Sequence, residues 1–191
     1  MSDRYSSFEE LALNEVSGFD YEIEFVRNGS DILIMAPHGG KIEFLTCELA
    51  AEIAENDFSL YVFRGIKKSG NRFLHITSHR FDEPLALKAV SHADTVLAVH
   101  GAKNNREVFV MIGGLDEILA ENIRKELRKA GFNSMNPNRR MRAIHPTNIC
   151  NRGKRRKGVQ LELSRKLRLC LKEDRRQRGR FVEAVRNALM R

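Results

Sequence analysis

Only three cysteines occur in the 191 residues, Cys47, Cys150 and Cys170, and no two of them form a Cys-x-x-Cys pair. So sparse and odd a set excludes a disulfide-stapled scaffold and a zinc finger, and fits the reduced thiols of a cytoplasm. Long apolar runs are missing too. "DILIMAP" and "DTVLAVH" stop after a few residues, short of the about 20 that a membrane-spanning helix needs. The opening "MSDRYSSFEE" is acidic and polar, so no secretory signal is read and a cytoplasmic chain is expected, reaching any external target on cell lysis. Aromatic side chains are scarce where charge is densest. Residues 124–191 hold 22 Lys/Arg against 5 Asp/Glu, yet contain no Trp or Tyr and only Phe132 and Phe181. Residues 1–123 reverse the balance, with 11 against 20, so the net charge of +8 conceals a basic C-terminal third. Such a field attracts polyanions. Stacking platforms are few and no nucleic-acid motif is recognisable, which disfavours nucleic acid as the partner.

What is present is the pattern of one soluble α/β domain, residues 1–191, expected to be monomeric. After an N-terminal segment (residues 1–20), "YEIEFVRNGSDILIMAP" reads as two strands joined by an Asn28-Gly29 hairpin turn. A helix is expected from Ile42, with Leu45, Leu49 and Ile53 on its inner face. "SLYVFRG" and "FLHITS" read as strands about a Lys/Ser/Gly turn, and Pro84 opens a helix. "DTVLAVHG" is a near-continuous apolar strand of the kind a parallel sheet buries. "EVFVMIGG" is another, and the amphipathic "LDEILAENIRKELRKAG" ends at Gly131. A long basic loop, residues 133–157, precedes the alternating strand "GVQLELS" and a last helix at about Arg178–Leu189. The expected fold is an open, mixed, mostly parallel sheet with helices on both faces.

In such sheets sites form at the carboxyl ends of strands. Two strands end in His-Gly, at His38 and His100, and Glu43 follows His38 through Gly39-Gly40. Two imidazoles and a carboxylate are the ligand set of catalytic zinc hydrolases, which keep one position for water, so one Zn2+ ion is expected. A water activated in this way needs a general base, and Glu162 is the candidate, an acid on the polar face of a half-apolar strand. Guanidinium forks for substrate carboxylates are offered by Arg139, Arg140, Arg142 and Arg152 of the long loop. Asn151 beside Arg152 could hold a carboxylate or polarise a scissile carbonyl, and His145 could touch substrate. His75, His79 and His92 read as structural.

The segments "APHGGKIEFLTCELA", "LHITSHRFDEP", "VLAVHG" and "HPTNICNRG…GVQLELSRKLR" resemble, in order and over about Tyr21 to Phe181, the poly-γ-glutamate hydrolase family, also called phage-related replication proteins. The resemblance implies a zinc peptidase on an open α/β sheet similar to that of zinc carboxypeptidases, cleaving the γ-glutamyl amide bonds of poly-γ-glutamate. It implies zinc on His38, Glu43 and His100, with Glu162 as base. Asn151-Arg152 resembles the Asn-Arg pair with which carboxypeptidases grip substrate. The His-to-Glu gap is wider here than in carboxypeptidases and fits the poly-γ-glutamate group. The expected function is therefore a zinc-dependent γ-glutamyl hydrolase acting on a polyanionic polymer. Three alternatives stand beside it: a zinc amidohydrolase of another acyl-amino-acid substrate, a basic nucleic-acid-binding phage protein without hydrolase activity, and a scaffold that has kept the fold but lost the enzyme.

Overall fold

In the computed structural model, residues 3–139 and 141–191 are described. Seven strands form one sheet: β1 (Tyr21–Val26), β2 (Ile32–Gly40), β3 (Ser59–Gly65), β4 (Thr95–Ala102), β5 (Val110–Gly114), β6 (Ser134–Met135) and β7 (Val159–Ser164). Their order is β1-β3-β2-β4-β7-β5-β6. The centre of the sheet, β3-β2-β4-β7, is parallel, and so is β5 with β6. Antiparallel pairings join β1 to β3 and β5 to β7. Among the described residues six helices accompany the sheet: α1 (Phe8–Asn14), α2 (Thr46–Ala54), α3 (Pro84–His92), α4 (Glu117–Lys129), α5 (Arg165–Glu173) and α6 (Arg175–Leu189).

Period-2 alternation along the central strands feeds two cores. Ile34, Ala36, Leu97, Val99, Leu161 and Leu163 face α2, α4, α5 and α6. Leu33, Met35, Tyr61, Phe63, Val96 and Ala98 face α1, α3 and the segment around Leu74–Phe81. Strands apolar on both faces are what a parallel sheet sandwiched by helices demands. Local signals fix the helix ends. Pro84 stands in the first turn of α3, and the Glu83 carboxylate accepts from the amides of Leu85 and Ala86. Ser164 caps α5 by accepting from the Leu167 amide, so β7 turns directly into a helix.

Several sequence expectations give way here. β1 and β2 form no hairpin: both border β3, and Asn28 instead donates from Nδ2 to the Phe58 carbonyl at 3.0 Å. A type I′ turn signal loses when a third strand pairs better with each partner. "FLHITS" is not a strand. Asn71–Leu74 is a 3-10 turn, and Leu74 and Ile76 are buried because the segment packs across the sheet face rather than within it. α2 begins at Thr46, leaving Glu43 in the preceding turn, and α6 starts at Arg175. The long loop contains β6 and a 3-10 turn at Ile149–Arg152, and α5 had no counterpart in the sequence reading.

The basic third is less free than its composition suggests. Lys154 pairs with Asp31 and Asp94, and Arg155 and Lys157 with Asp116. Arg178 pairs with Glu52, and Arg186 with Glu55 and Asp57. Carboxylates of the acidic first two-thirds thus answer the C-terminal cations across the fold.

Gly39 and Gly40 are dictated by their surroundings. A Cβ on Gly39 would lie 1.8 Å from the Cys47 sulfur; one on Gly40, at φ +63°, would lie 2.6 Å from the Gly65 carbonyl oxygen. Replacing Gly40 with Ala is therefore expected to cost about 2–3 kcal/mol, since both a left-handed conformation and a backbone overlap oppose it. A urea denaturation midpoint equal to that of the parent chain would show that the turn tolerates a side chain.

Candidate metal centre

The carboxyl ends of β2, β4 and β7 bring the chemistry together. β2 runs through His38 with a register shift between Ala36 and Gly39, which turns His38 out of the regular ladder. The Gly39-Gly40 bend returns the chain so that the Glu43 amide donates to the His38 carbonyl at 2.9 Å. Glu43 is then held from β4, where the Gly101 amide donates to its Oε2 at 2.8 Å. Leu45, just beyond, has φ +70°, a left-handed conformation that completes this tight turn into α2.

His38 and His100 are buried, 1% and 2% exposed, and their Nδ1 atoms stand 3.1 Å apart. Each Nδ1 lies 3.7 Å from one oxygen of Glu43. The other ring nitrogen of His38 sits 2.7 Å from the Ile76 carbonyl, which can only accept. Nε2 therefore carries the hydrogen, and the lone pair of Nδ1 is directed at Glu43 and His100.

His75 is the residue that sequence reasoning missed. Its ligand-capable atoms, with those of His38 and Glu43, lie within 4.8 Å of one another. Asp3 anchors it, Oδ1 standing 2.8 Å from Nδ1. The ring centres of His38 and His75 are 4.0 Å apart with the planes tilted by 32°, and those of His38 and His100 are 4.9 Å apart with a tilt of 59°. No local pattern announces His75, because its partner is 72 residues away.

The electrostatics fit a cation. Burial, then the neighbouring His75 and His100, push His38 well below the usual histidine value. Burial also acts to lower His100, but the hydrogen bond and charge of Glu43, aided by Glu162, carry it upward. A proton on His100 thus meets the demand of the carboxylates for positive charge. A divalent ion would meet the same demand and leave two neutral imidazoles as ligands.

Glu162 lies beside His100 in the β4–β7 register. Its carboxyl is pushed up to about 7, chiefly by burial, with Glu43 adding to the rise and His100, Gln160 and Arg168 opposing it. A hydrogen-bond chain orients it: Asn148 Nδ2 donates to Gln160 Oε1 at 3.1 Å, and Gln160 Nε2 donates to Glu162 Oε1 at 2.8 Å. Gln160 was visible in the sequence as the residue two before Glu162 on the same strand face, but nothing marked it as functional.

These groups line a cavity of about 270 Å³ that also takes in Arg139, Arg142 and His145 from the long loop. Arg140 lies outside the described residues. Asn151 and Arg152 brace the wall instead. The buried Asn151 amide donates to the carbonyls of Ala143 and His145 at 2.7 and 3.0 Å and accepts from the amides of Gly158 and Leu115. Arg152 donates from Nε to the Thr147 carbonyl at 2.7 Å and from Nη2 to that of His79 at 3.2 Å.

The sequence model of the family described as poly-gamma-glutamate hydrolase matches residues 5–188. The chain belongs to that family. YndL of Bacillus subtilis (strain 168) is 39% identical over 165 residues, 85% of this chain and 64% of YndL, so the chain spans a little under two-thirds of that relative's length. A bacteriophage poly-gamma-glutamate hydrolase structure superposes with a TM-score of 0.93 at 33% identity, covering 99% of this chain and 97% of that one. YndL in a zinc-free form superposes with a TM-score of 0.90 at 32% identity over 99% and 98%. N-formylglutamate amidohydrolase from Ralstonia eutropha JMP134, at 11% identity and a TM-score of 0.58 over 90% and 98% of the two chains, shares the fold alone. No helix among the described residues is long and apolar enough to cross a membrane.

Proposed function

We propose that this member of the poly-γ-glutamate hydrolase family is a zinc-dependent hydrolase of γ-glutamyl amide bonds. The observation that carries the reading is the convergence of two buried imidazole Nδ1 atoms, 3.1 Å apart, on one carboxylate. His38, Glu43 and His100 would hold one zinc ion, with His75, anchored by Asp3 and lying against the His38 ring, as the supporting residue. Bound there, zinc supplies a Lewis acid for the scissile carbonyl and lowers the pKa of water.

The chain's own residues do the rest. Glu162 accepts a proton from the attacking water and returns it to the leaving amine, a task suited to a carboxyl whose proton affinity burial has raised. Gln160 and Asn148 hold it in place. Arg139, Arg142 and His145 face the substrate from the loop wall. Asn151 and Arg152 keep that wall in position, so their contribution is to orient rather than to touch. A γ-linked glutamate polymer keeps one free carboxylate per residue, and it is this anion that the loop arginines suit.

The choice between His100 and His75 is testable by metal content. His100→Ala is expected to lower zinc affinity by 10²-fold or more, because a ligand is lost. His75→Ala, which removes a neighbour of a ligand, should cost about 10-fold, in the range of lost outer-shell partners. Stoichiometric zinc in His100→Ala beside metal-free His75→Ala would exchange their roles.

A further inference from the structure

A second and larger cavity, about 550 Å³, opens on the other side of Glu43, His75 and Thr77, which line both spaces. Its volume falls in the range of ligand pockets, about 300–1,000 Å³. Its lining is mostly cationic: Arg4, Lys41, Arg72, Lys103 and Arg165 surround it and the buried Arg168 forms part of its floor, while the two carboxylates there are already engaged, Asp3 by His75 and Thr77 and Glu43 by the Gly101 amide. Four of these cations come from the acidic first two-thirds of the chain rather than from the basic C-terminal third. Among the described residues none of the six has a carboxylate within 4.0 Å, in contrast to the paired cations of the C-terminal third.

Two aromatic rings preset the guanidinium groups. Arg4 and Arg72 lie 5.4 and 4.7 Å from the centre of the Phe73 ring. Arg165 and Arg168 lie 5.6 and 4.6 Å from that of Phe44. Guanidinium stacked on a ring keeps its in-plane donors available and loses less freedom when it grips a carboxylate. Arg168 is fixed further, donating to the carbonyls of Phe44 at 2.8 Å and Ala102 at 3.1 Å. Those bonds tie the floor of the cavity to the turn that carries Glu43.

We propose that this second cavity is a carboxylate-binding subsite, in which Arg72 on one lip and Arg165 on the other grip the free carboxylates of a γ-linked polyanion extending past the metal centre. The assignment rests on the hydrolase reading for the identity of the polyanion. The subsite binds and aligns, and takes no part in bond cleavage.

The test uses the full chain loaded with zinc and the double variant Arg72→Ala with Arg165→Ala, both exposed positions whose loss leaves the cores intact. At low salt the double variant is expected to raise KM for γ-linked polyglutamate by about tenfold or more, leaving kcat within about twofold. In a Glu162→Gln background, affinity for a fluorescent γ-linked glutamate decamer should fall by the same factor and with a shallower salt dependence. Arg175→Ala with Arg176→Ala, exposed on α6 away from the cavity, serves as the charge control and should change neither. Unchanged KM and decamer affinity in the Arg72/Arg165 variant would overturn the subsite while leaving the hydrolase reading standing. Equal losses in the control would overturn it as well, since a diffuse field would then account for binding. Decamer binding that the Arg72/Arg165 variant loses, by a parent chain that cleaves nothing, would sink the hydrolase reading and uphold the subsite. A parent chain that neither binds nor cleaves removes both.

Discussion

Replacing Glu162 with Gln is expected to leave zinc content unchanged and to lower kcat by about 10²–10⁴-fold, the usual worth of a lost acid–base group. Glu162 sits on β7 beside His100 and lines the same cavity as His38 and Glu43. Its amide isostere keeps volume and can still hydrogen-bond to Gln160, so the cavity wall should stand. What the amide lacks is the capacity to accept a proton and deliver it again. Steady-state cleavage of γ-linked polyglutamate, with elemental analysis of the same sample, separates the two properties. Loss of zinc together with turnover would make Glu162 part of the metal site. Unchanged turnover would remove it from the mechanism.

His38→Ala should be more severe. It deletes the proposed Nδ1 ligand, leaves the Ile76 carbonyl without its 2.7 Å partner, and opens space beside His75 and Phe81, whose rings lie against that of His38. Zinc binding and cleavage are both expected to vanish. The parent chain should gain thermal stability on adding zinc, by about 4 kcal/mol at a thousandfold excess over Kd, and the variant should gain nothing. A calorimetric scan with and without added zinc reads this difference directly. An equal upward shift in Tm for the two chains would place the ion elsewhere.

Much of this site could be read from the chain because its parts sit at strand ends. His38 and His100 close apolar runs of the kind a buried sheet carries, and β7 was recognisable from Val159, Leu161 and Leu163 alternating with Gln160 and Glu162. The neighbourhood of β2, β4 and β7 was not readable, since parallel pairing is set through long crossovers that leave no short-range mark. His75 was hidden for a related reason. Its flanks, Leu74 and Ile76, alternate as a strand would, yet they are buried against the second core by a segment that crosses the sheet. Arg168 was concealed within a run of basic residues. Only the inward positions of Leu167 and Leu171 on α5 reveal that its side chain points to the interior. The Asn28-Gly29 turn erred in the opposite sense, a strong local preference overruled by the pairing of β1 with β3.

The central claim is that one zinc ion at His38, Glu43 and His100 drives cleavage of a γ-glutamyl polymer. Zinc content and polymer cleavage, measured on one preparation before chelation, after chelation and after zinc is returned, test it most directly. The account predicts about one zinc per chain, cleavage abolished by the chelator and restored by zinc. Full cleavage by a preparation that elemental analysis finds free of metal would contradict it.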